Sequence, residues 1–190
     1  HPLMAFNAEG LALGTVWNKH WVRESIQTNR TAAEKRKDIR QKPIEEKESV
    51  RWVEGVRAAL DVARECAHTK CIVMGDSEAD IYEVLAESRG ADDGRQLELI
   101  VRAARDRNLD DQNERLLATV RNTSCIYRST VDVSKRREKT NVKNKSPRKC
   151  ARDARQAEVE VRAAQVVIRC PRNGPRRPSL TYNVVLVEEA

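Results

Sequence analysis

The sequence has few aromatic residues and none of the short motifs that mark several large enzyme classes. Aromatic side chains make up 4% of its 190 residues. No GxGxxG, GxxxxGK[ST], HExxH or GxSxG pattern occurs, which argues against nucleotide-binding loops, zincins and serine hydrolases. Neither an apolar run of membrane-spanning length nor a signal peptide is recognisable, so we expect no membrane partner.

Cysteine spacing gives no sign of a zinc site or a disulfide framework. The chain has five cysteines, an odd number without CxxC spacing, which is typical of reduced thiols in a cytosolic protein. The three histidines are isolated from one another, so each is interpreted as an ordinary surface or core residue. We therefore expect a cytoplasmic protein. The cysteines are Cys66, Cys71, Cys125, Cys150 and Cys170.

Charge is abundant, and its balance is basic. Charged residues make up 34% of the chain, and the net charge is +7. Such a balance favours a polyanionic partner, nucleic acid above all. The stretch 135–155 carries ten basic residues against two acids, which suits phosphate contacts, since each one adds to the salt dependence of binding. The alternative is a disordered, solubilising loop.

The first half of the chain alternates between predicted strands and helices. Residues 1–23 predict two strands around a turn at Asn7 and Gly10. Residues 44–65 predict a helix, because apolar residues recur on one face at the helical period. "CIVMG" predicts a short strand buried on both faces, "SEADIYEVLAES" a helix, and "LELIVRA" a further buried strand. This order indicates a mixed α/β sheet.

The second half has a different texture. A short helix is predicted around Leu116 and Leu117. "CIYRSTVDV", "AEVEVRA", "QVVIRCP" and "LTYNVVLV" then alternate or run apolar as strands do, which indicates an antiparallel β module. We therefore divide the chain into a core, residues 1–110, and a mostly β insertion, residues 111–190.

Asp76 is the most suggestive single residue, because it ends a buried strand and begins a helix. Active sites of open α/β sheets gather outside the carboxyl ends of strands. A carboxylate there suits Mg²⁺, which binds through one or two carboxylates and keeps waters and phosphate oxygens. The alternative is that Asp76 only caps the helix.

Longer stretches resemble a known family. "PIEEKESVRWVEG", "VMGDSEADIYE" and "ELIVRAARDR" occur in the order and spacing found in DDE-type transposases of bacterial insertion sequences. The likeness is to the insertion sequence four group, which includes the transposase of composite transposon five. It extends over nearly the whole chain, through "GLALGTVWNKHWVRE" near the start and "LTYNVVLVEEA" at the end.

The resemblance implies an RNase H-like fold with a largely β insertion. It also implies an active site of two aspartates and one glutamate that binds two Mg²⁺ or Mn²⁺ ions for DNA cleavage and strand transfer. Asp76 matches the second aspartate, as catalytic and metal-binding residue. Arg102 and Arg107 match a segment that lies against double-stranded transposon-end DNA, and four basic residues of the insertion are expected to contact its backbone: Lys143, Lys145, Arg148 and Lys149.

The chain also departs from the family pattern. Relatives usually carry arginine after the second aspartate, where this chain has Ser77. The first aspartate belongs on a strand before "HPLMAF" and the glutamate on a helix after "VVLVEEA", so Glu188 and Glu189 are not the catalytic glutamate. We therefore expect a central fragment that is inactive in isolation, from a parent that acts as a homodimer on DNA. The rivals are a non-catalytic nucleic-acid-binding module from a decayed transposase, and a nuclease or repressor unrelated to transposition.

Overall fold

The computed structural model describes most of the chain and divides it into two compact units. The first unit comprises His1–Asp106 and Arg169–Leu180, and the second comprises Arg107–Ile168 and Thr181–Ala190. The predicted division at residue 110 into a catalytic core and an insertion stays a prediction, since compactness does not identify either. The described residues are 1–22, 31, 33, 34, 38, 42–66, 68–88, 97–110, 114–136, 151–171 and 177–190.

The first unit opens with the predicted hairpin. Strands β1 (Pro2–Phe6) and β2 (Ala12–Asn18) pair antiparallel. The Asn7 side-chain oxygen accepts hydrogen bonds from the backbone N–H groups of Glu9 and Leu11. Gly10 has a φ of 84°, a left-handed conformation that glycine adopts without a steric penalty. Both predicted turn residues therefore hold the turn.

Helix α1 (Val50–Glu65) provides the apolar face predicted from the sequence. Its buried residues include Val53, Val56, Ala59 and Leu60, which recur at the spacing of one helical face. The helix begins later than predicted, because extended backbone at Lys47 separates it from a 3₁₀ turn at Ile44–Glu46.

Two short parallel strands complete the sheet elements of this unit. Strand β3 (Ile72–Gly75) pairs with β4 (Glu98–Val101), with Gly75 opposite Val101. Within the described residues, β1–β2 and β3–β4 are separate two-stranded sheets. The prediction that "CIVMG" is buried on both faces is wrong, because Ile72 and Met74 are 49% and 72% exposed.

The second predicted helix is broken into two pieces. A 3₁₀ turn at Ser77–Ala79 is followed by helix α2 (Tyr82–Glu87), with non-helical backbone at Asp80 and Ile81 between them. The break turns the Asp80 side chain towards the backbone that follows β4.

Helix α1 forms the centre of the first unit's core. Its buried side chains pack in one cluster with Val84 of α2 and with Leu97, which precedes β4. The segment Arg169–Leu180 belongs to the same unit. The Tyr82 hydroxyl donates a hydrogen bond to the Pro178 carbonyl. Burial raises the pKa of Tyr82, so its hydroxyl remains a donor near neutral pH.

The second unit contains a three-stranded sheet in the order β5–β6–β7. Strands β5 (Tyr127–Val133) and β6 (Arg155–Ile168) pair antiparallel, as predicted, and β7 (Leu180–Glu189) pairs on the other side of β6. The short helix α3 (Leu116–Arg121) precedes the sheet. Ala157, Val159, Val166 and Ile168 of β6 are buried.

These elements confirm a mixed α/β protein. Within the described ranges, no helix combines the length and the apolar character that crossing a bilayer requires. Cys66, Cys71, Cys125 and Cys170 form no disulfide there.

Candidate functional site

Asp76 follows the last residue of β3, at the carboxyl end of the parallel pair. It caps the 3₁₀ turn, and its Oδ1 accepts a hydrogen bond of 2.8 Å from the Glu78 backbone N–H. The capping role considered from the sequence is therefore real. No other hydrogen bond or ion pair joins the Asp76 side chain to the rest of the described chain, so its second oxygen remains available to a ligand.

Gly75 explains why the strand ends so sharply before Asp76. A Cβ atom built on Gly75 would lie 2.6 Å from the Cβ of Ala79, closer than two carbon atoms approach without a clash. Only glycine fits between the strand end and the 3₁₀ turn. The Gly-Asp pair thus turns the chain tightly enough to leave the carboxylate exposed at the end of the sheet.

The two neighbouring acids have different structural tasks. Glu78 pairs with Arg51, with 2.7 Å between Oε2 and a guanidinium nitrogen. Asp80 is 4% exposed, and its Oδ2 accepts hydrogen bonds of 2.7 and 3.1 Å from the backbone N–H groups of Ala104 and Arg105. Of the acids in 76–80, Asp76 is the exposed one that forms no ion pair with a described residue.

Arg102 lies beside Asp76 across the strand ends. Its backbone N–H donates to the Gly75 carbonyl at 3.2 Å. Its guanidinium lies 3.5 Å from the Ser77 hydroxyl oxygen, the outer limit of a hydrogen bond. Arg102 is exposed, and it forms no ion pair with any described residue. The structure therefore brings together one carboxylate and one guanidinium of the predicted set.

The other predicted DNA contacts lie in the second unit or outside the described residues. Arg107 belongs to the second unit, where its carbonyl accepts a hydrogen bond from the Leu116 N–H. The four basic residues predicted to contact the DNA backbone lie outside the described residues: Lys143, Lys145, Arg148 and Lys149.

The donor set at the strand ends fits one ligand position of a magnesium site. Mg²⁺ takes oxygen ligands and is bound in proteins through one or two carboxylates together with phosphates and waters. Asp76 supplies one such oxygen. No group of three His, Cys, Asp or Glu side chains able to hold a metal ion occurs in the described part of the chain. A complete two-ion site would therefore need further carboxylates.

Cations of the second unit are held by acids of the same unit. Arg128 and Arg162 both pair with Glu160, at 2.6 and 2.5 Å. Hydrogen bonds from Arg128 and Arg162 hold the pKa of Glu160 below its ordinary value. Glu188 and Glu189 were not expected to be the catalytic glutamate, because of their position in the family pattern. They pair with Arg121 and Arg155 respectively.

Sequence reasoning missed two features of the first unit. It gave Asp80 no role outside its own helix, whereas Asp80 holds the segment after β4. It also did not single out Arg51, whose guanidinium lies over Trp21 and Trp52 at 5.0 and 5.9 Å. For Asp80, the only signal in the sequence is an aspartate four residues after Asp76. For Arg51, no local signal indicates its position over the tryptophans.

The comparisons with known proteins add no assignment. The chain matches no protein-family model and no curated protein at a significant level.

Proposed function

We propose that this chain belongs to the core of a DDE-type DNA transposase with an RNase H-like fold, in which Asp76 is one of three metal-binding carboxylates. The observation that carries the proposal is an exposed carboxylate oxygen at the carboxyl ends of two parallel strands, where α/β enzymes place their chemistry. The motif resemblance around Asp76 selects phosphodiester chemistry from the reactions such a site can support.

Charge near Asp76 suits a DNA substrate. Arg102 presents its guanidinium at the same strand ends, and guanidinium groups bind phosphate oxygens in a fork geometry. The net charge of +7 adds a longer-range attraction for a polyanion. We propose double-stranded transposon-end DNA as the partner, bound by a homodimer of the parent protein.

The proposed cofactor is a pair of Mg²⁺ or Mn²⁺ ions. When bound, they would activate the attacking hydroxyl and stabilise the leaving oxygen in phosphodiester cleavage and strand transfer. Asp76 would hold metal through the oxygen that does not cap the 3₁₀ turn. The resemblance assigns the remaining two carboxylates to sequence outside this chain, so we expect these 190 residues alone not to cut DNA.

A non-catalytic nucleic-acid-binding module is the second candidate. The observation that favours it is that no group of three side chains able to hold a metal ion occurs among the described residues. Such a module would bind DNA with the usual salt dependence and would show no metal dependence at Asp76.

Paramagnetic broadening by Mn²⁺ distinguishes the two candidates. With ¹⁵N-labelled protein and a 30-base-pair duplex, we expect Mn²⁺ to broaden the amide signals of residues 76–78 selectively. Asp76→Asn should abolish this broadening, whereas Asp61→Asn, which alters an exposed acid of the same unit, should leave it unchanged. Broadening centred elsewhere, or unaffected by Asp76→Asn, would favour the binding module.

A plasmid-nicking assay with Mn²⁺ tests the expectation of inactivity. We expect no cutting above the background of the Asp76→Ala variant. Robust cutting that disappears in Asp76→Ala would show that the chain holds a complete active site, and would contradict the assignment of the other two carboxylates to sequence outside it.

A further inference from the structure

Strand β5 forms an open edge of the sheet in the second unit. Within the described ranges, it pairs with β6 on one side and with no strand on the other. Its seven residues, Tyr127–Val133, stay in register with β6 throughout and include neither lysine nor proline. Native proteins commonly protect an edge of this length with lysine, proline or a bulge, because unpaired backbone groups attract another strand. The composition of β5 therefore suits an edge that takes a strand partner.

The backbone groups of Thr130 point towards this open edge. On the opposite side of β6, the Glu158 carbonyl accepts a hydrogen bond of 3.0 Å from the Ala190 N–H. Glu158 lies opposite Thr130 in the β5–β6 ladder. Antiparallel partners alternate between hydrogen-bonded and non-hydrogen-bonded pairs, so the backbone of Glu158 faces β7 and that of Thr130 faces away from β6. By the same alternation, the N–H and C=O groups of Arg128 and Asp132 also face the edge.

The side chains of β5 are complementary to those of a second copy of the same strand. When two copies pair antiparallel about Thr130, each Arg128 lies opposite the Asp132 of the other copy. Tyr127 then lies opposite Val133, and the two threonines lie opposite each other. Opposite charges, an aromatic with a β-branched residue and two threonines are all favourable cross-strand pairs. Of the antiparallel registers in which β5 can pair with itself, only this one places both charges opposite each other.

The charged side chains of β5 can form these contacts without losing those they already have. Arg128 and Asp132 are exposed. Arg128 pairs with Glu160, and Asp132 accepts a hydrogen bond of 3.2 Å from the side chain of Gln156. In the paired sheets, each arginine would lie between Glu160 of its own copy and the aspartate of the other. A second copy would therefore extend the existing row of polar contacts.

We propose that β5 is a dimerisation strand, through which two copies of this chain join their three-stranded sheets into one sheet around a two-fold axis at Thr130. Arg128, Thr130 and Asp132 of the two copies would form about six backbone hydrogen bonds. On one face of the joined sheets, Tyr127, which is 61% exposed, would gain an apolar neighbour. The inference does not depend on the proposed function, because Asp76 and Arg102 take no part in it.

The other outer strand of the sheet, β7, suits a second copy less well. Its charged residues are Glu188 and Glu189, and it contains no basic residue. Two copies of β7 could therefore form no cross-strand pair of opposite charges. Pairing of β5 with β7 of another copy would leave an edge open at each end and build a chain of copies, whereas a two-fold β5 pair closes on itself.

Sedimentation equilibrium of the whole chain measures the association, in reducing buffer and without DNA or metal. A single strand pair buries less than the roughly 1,200 Å² at which stable interfaces begin, so the dimer should be weak. We expect a monomer at low micromolar concentration, a dimer at millimolar concentration, and no larger species.

Exchange of the two charges tests the register. Arg128→Asp and Asp132→Arg each place like charges opposite one another at two positions, and each should raise the dimer Kd about tenfold or more. An equal mixture of the two variants should associate again, because the acids of one then meet the arginines of the other. Asp153→Arg is the matched control, since Asp153 is exposed in the same unit and lies outside β5, and it should leave the Kd unchanged.

Amide hydrogen exchange of the unaltered chain locates the interface. As the protein concentration rises, exchange should slow at the amides of Arg128, Thr130 and Asp132, which face the open edge. The amides of Val185 and Val187 face the opposite edge of the sheet, by the alternation that starts at Ala190, and should exchange at an unchanged rate.

Each outcome decides for or against the dimerisation strand. Protection of the alternate amides of β5 together with recovery of the dimer in the mixture of variants would support it. A chain that stays monomeric at millimolar concentration, a dimer that survives both charge substitutions, or protection at β7 would overturn it. The exchange pattern requires no variant, so it decides the matter even where a substitution impairs folding. Because no readout involves DNA or metal, failure here leaves the proposed function standing.

Discussion

In the second unit, arginines and glutamates pair with one another, whereas at the strand ends of the first unit a carboxylate and a guanidinium remain open to a partner. Glu160 is held by Arg128 and Arg162 in the sheet of the second unit. Asp76 and Arg102 form no ion pair with any described residue. Ser77 lies between them, because it follows Asp76 in the chain and its hydroxyl lies 3.5 Å from the Arg102 guanidinium. The charge of Glu160 is thus engaged within the sheet, whereas the charges of Asp76 and Arg102 are open to a ligand.

This difference limits what net charge says about function. A basic composition predicts a polyanionic partner, but an arginine already engaged with a glutamate contributes little attraction beyond the pair. Under the proposed function, we expect phosphate to be met by Arg102, which forms no ion pair with a described residue, more than by the paired arginines of the sheet. The comparison also predicts that the first unit depends on apolar packing, while the second responds more strongly to pH.

The largest effect on stability is expected from a substitution that creates a cavity in the core of the first unit. Leu60 is 7% exposed and packs in the cluster around α1. Leu60→Ala should lower the free energy of unfolding of this unit by about 2–5 kcal/mol, because the lost side chain leaves space that neighbours fill only in part. All three tryptophans lie in the first unit, so tryptophan fluorescence during urea unfolding measures it selectively.

Far-UV circular dichroism provides the control for Leu60→Ala. The variant should move the fluorescence transition to lower urea and leave in place the part of the dichroism transition that comes from the sheet of the second unit. Transitions that move together by the same amount would show that the two units unfold as one, and the contrast drawn between them would fail.

The next effect is expected from the buried carboxylate of Asp80. Its Oδ2 accepts two backbone N–H groups of the segment that follows β4, and hydrogen bonds to a charged group contribute about 1.5–3 kcal/mol. Asp80→Ala should destabilise the first unit by that amount and loosen residues 102–105. Urea unfolding followed by fluorescence measures the first effect, and amide exchange at Ala104 and Arg105 measures the second.

Asp61→Ala serves as the matched control for Asp80→Ala. Asp61 pairs with Arg64 on the exposed surface of α1, where ion pairs contribute little. Equal destabilisation by the two substitutions would show that the burial of Asp80 has no energetic importance.

Local periodicity predicted those parts of the fold that local interactions determine. The hairpin turn at Asn7 and Gly10 follows from the ability of asparagine to accept backbone hydrogen bonds and of glycine to adopt positive φ. The apolar face of α1 follows from its spacing. The break at Asp80 was missed, because its cause is a pair of hydrogen bonds to residues 24 and 25 positions away, which no window on the sequence contains.

The candidate site was predictable to the same limited extent. Asp76 and its capping role follow from a polar residue between a strand and a helical turn. The approach of Arg102 to Ser77 depends on the parallel register of β3 and β4, which the sequence does not specify. The exposure of Ile72 and Met74 was not predicted, since an apolar run looks the same in a covered strand and in one with an open face.

A smaller effect is expected in the salt dependence of DNA binding when Arg102 is replaced, with Arg128 as the comparison. For a 30-base-pair duplex, the logarithm of affinity falls linearly with the logarithm of salt concentration, with a slope set by the number of phosphate contacts. Arg102→Gln should reduce the magnitude of that slope by about one. Fluorescence anisotropy at several salt concentrations measures it.

Arg128→Gln is the matched control, because Arg128 is engaged with Glu160. It should change the slope by much less than Arg102→Gln. The reverse order would indicate that the sheet of the second unit, and not the strand ends of the first, carries the DNA contact.

The smallest effect concerns the response of the second unit to acid. Hydrogen bonds from Arg128 and Arg162 lower the pKa of Glu160, and hydrogen bonds from Arg121 and Arg155 lower the pKa values of Glu188 and Glu189. A carboxylate with a lowered folded-state pKa contributes stability above its unfolded-state pKa and loses it as the pH falls through the folded-state value. The second unit should therefore lose stability as the pH falls below about 4.5, the ordinary glutamate value.

Glu160→Gln isolates one contribution to this response, because glutamine keeps the shape of the side chain and cannot titrate. At pH 7 the variant should be slightly less stable than the parent, since it loses the charge that both arginines contact. The difference should shrink as the pH falls, because the parent's own carboxylate then becomes neutral. Dichroism-monitored urea unfolding between pH 7 and pH 3 measures it, and a difference that grows towards acid would mean that the two arginines do not stabilise the charged form of Glu160 in the folded sheet.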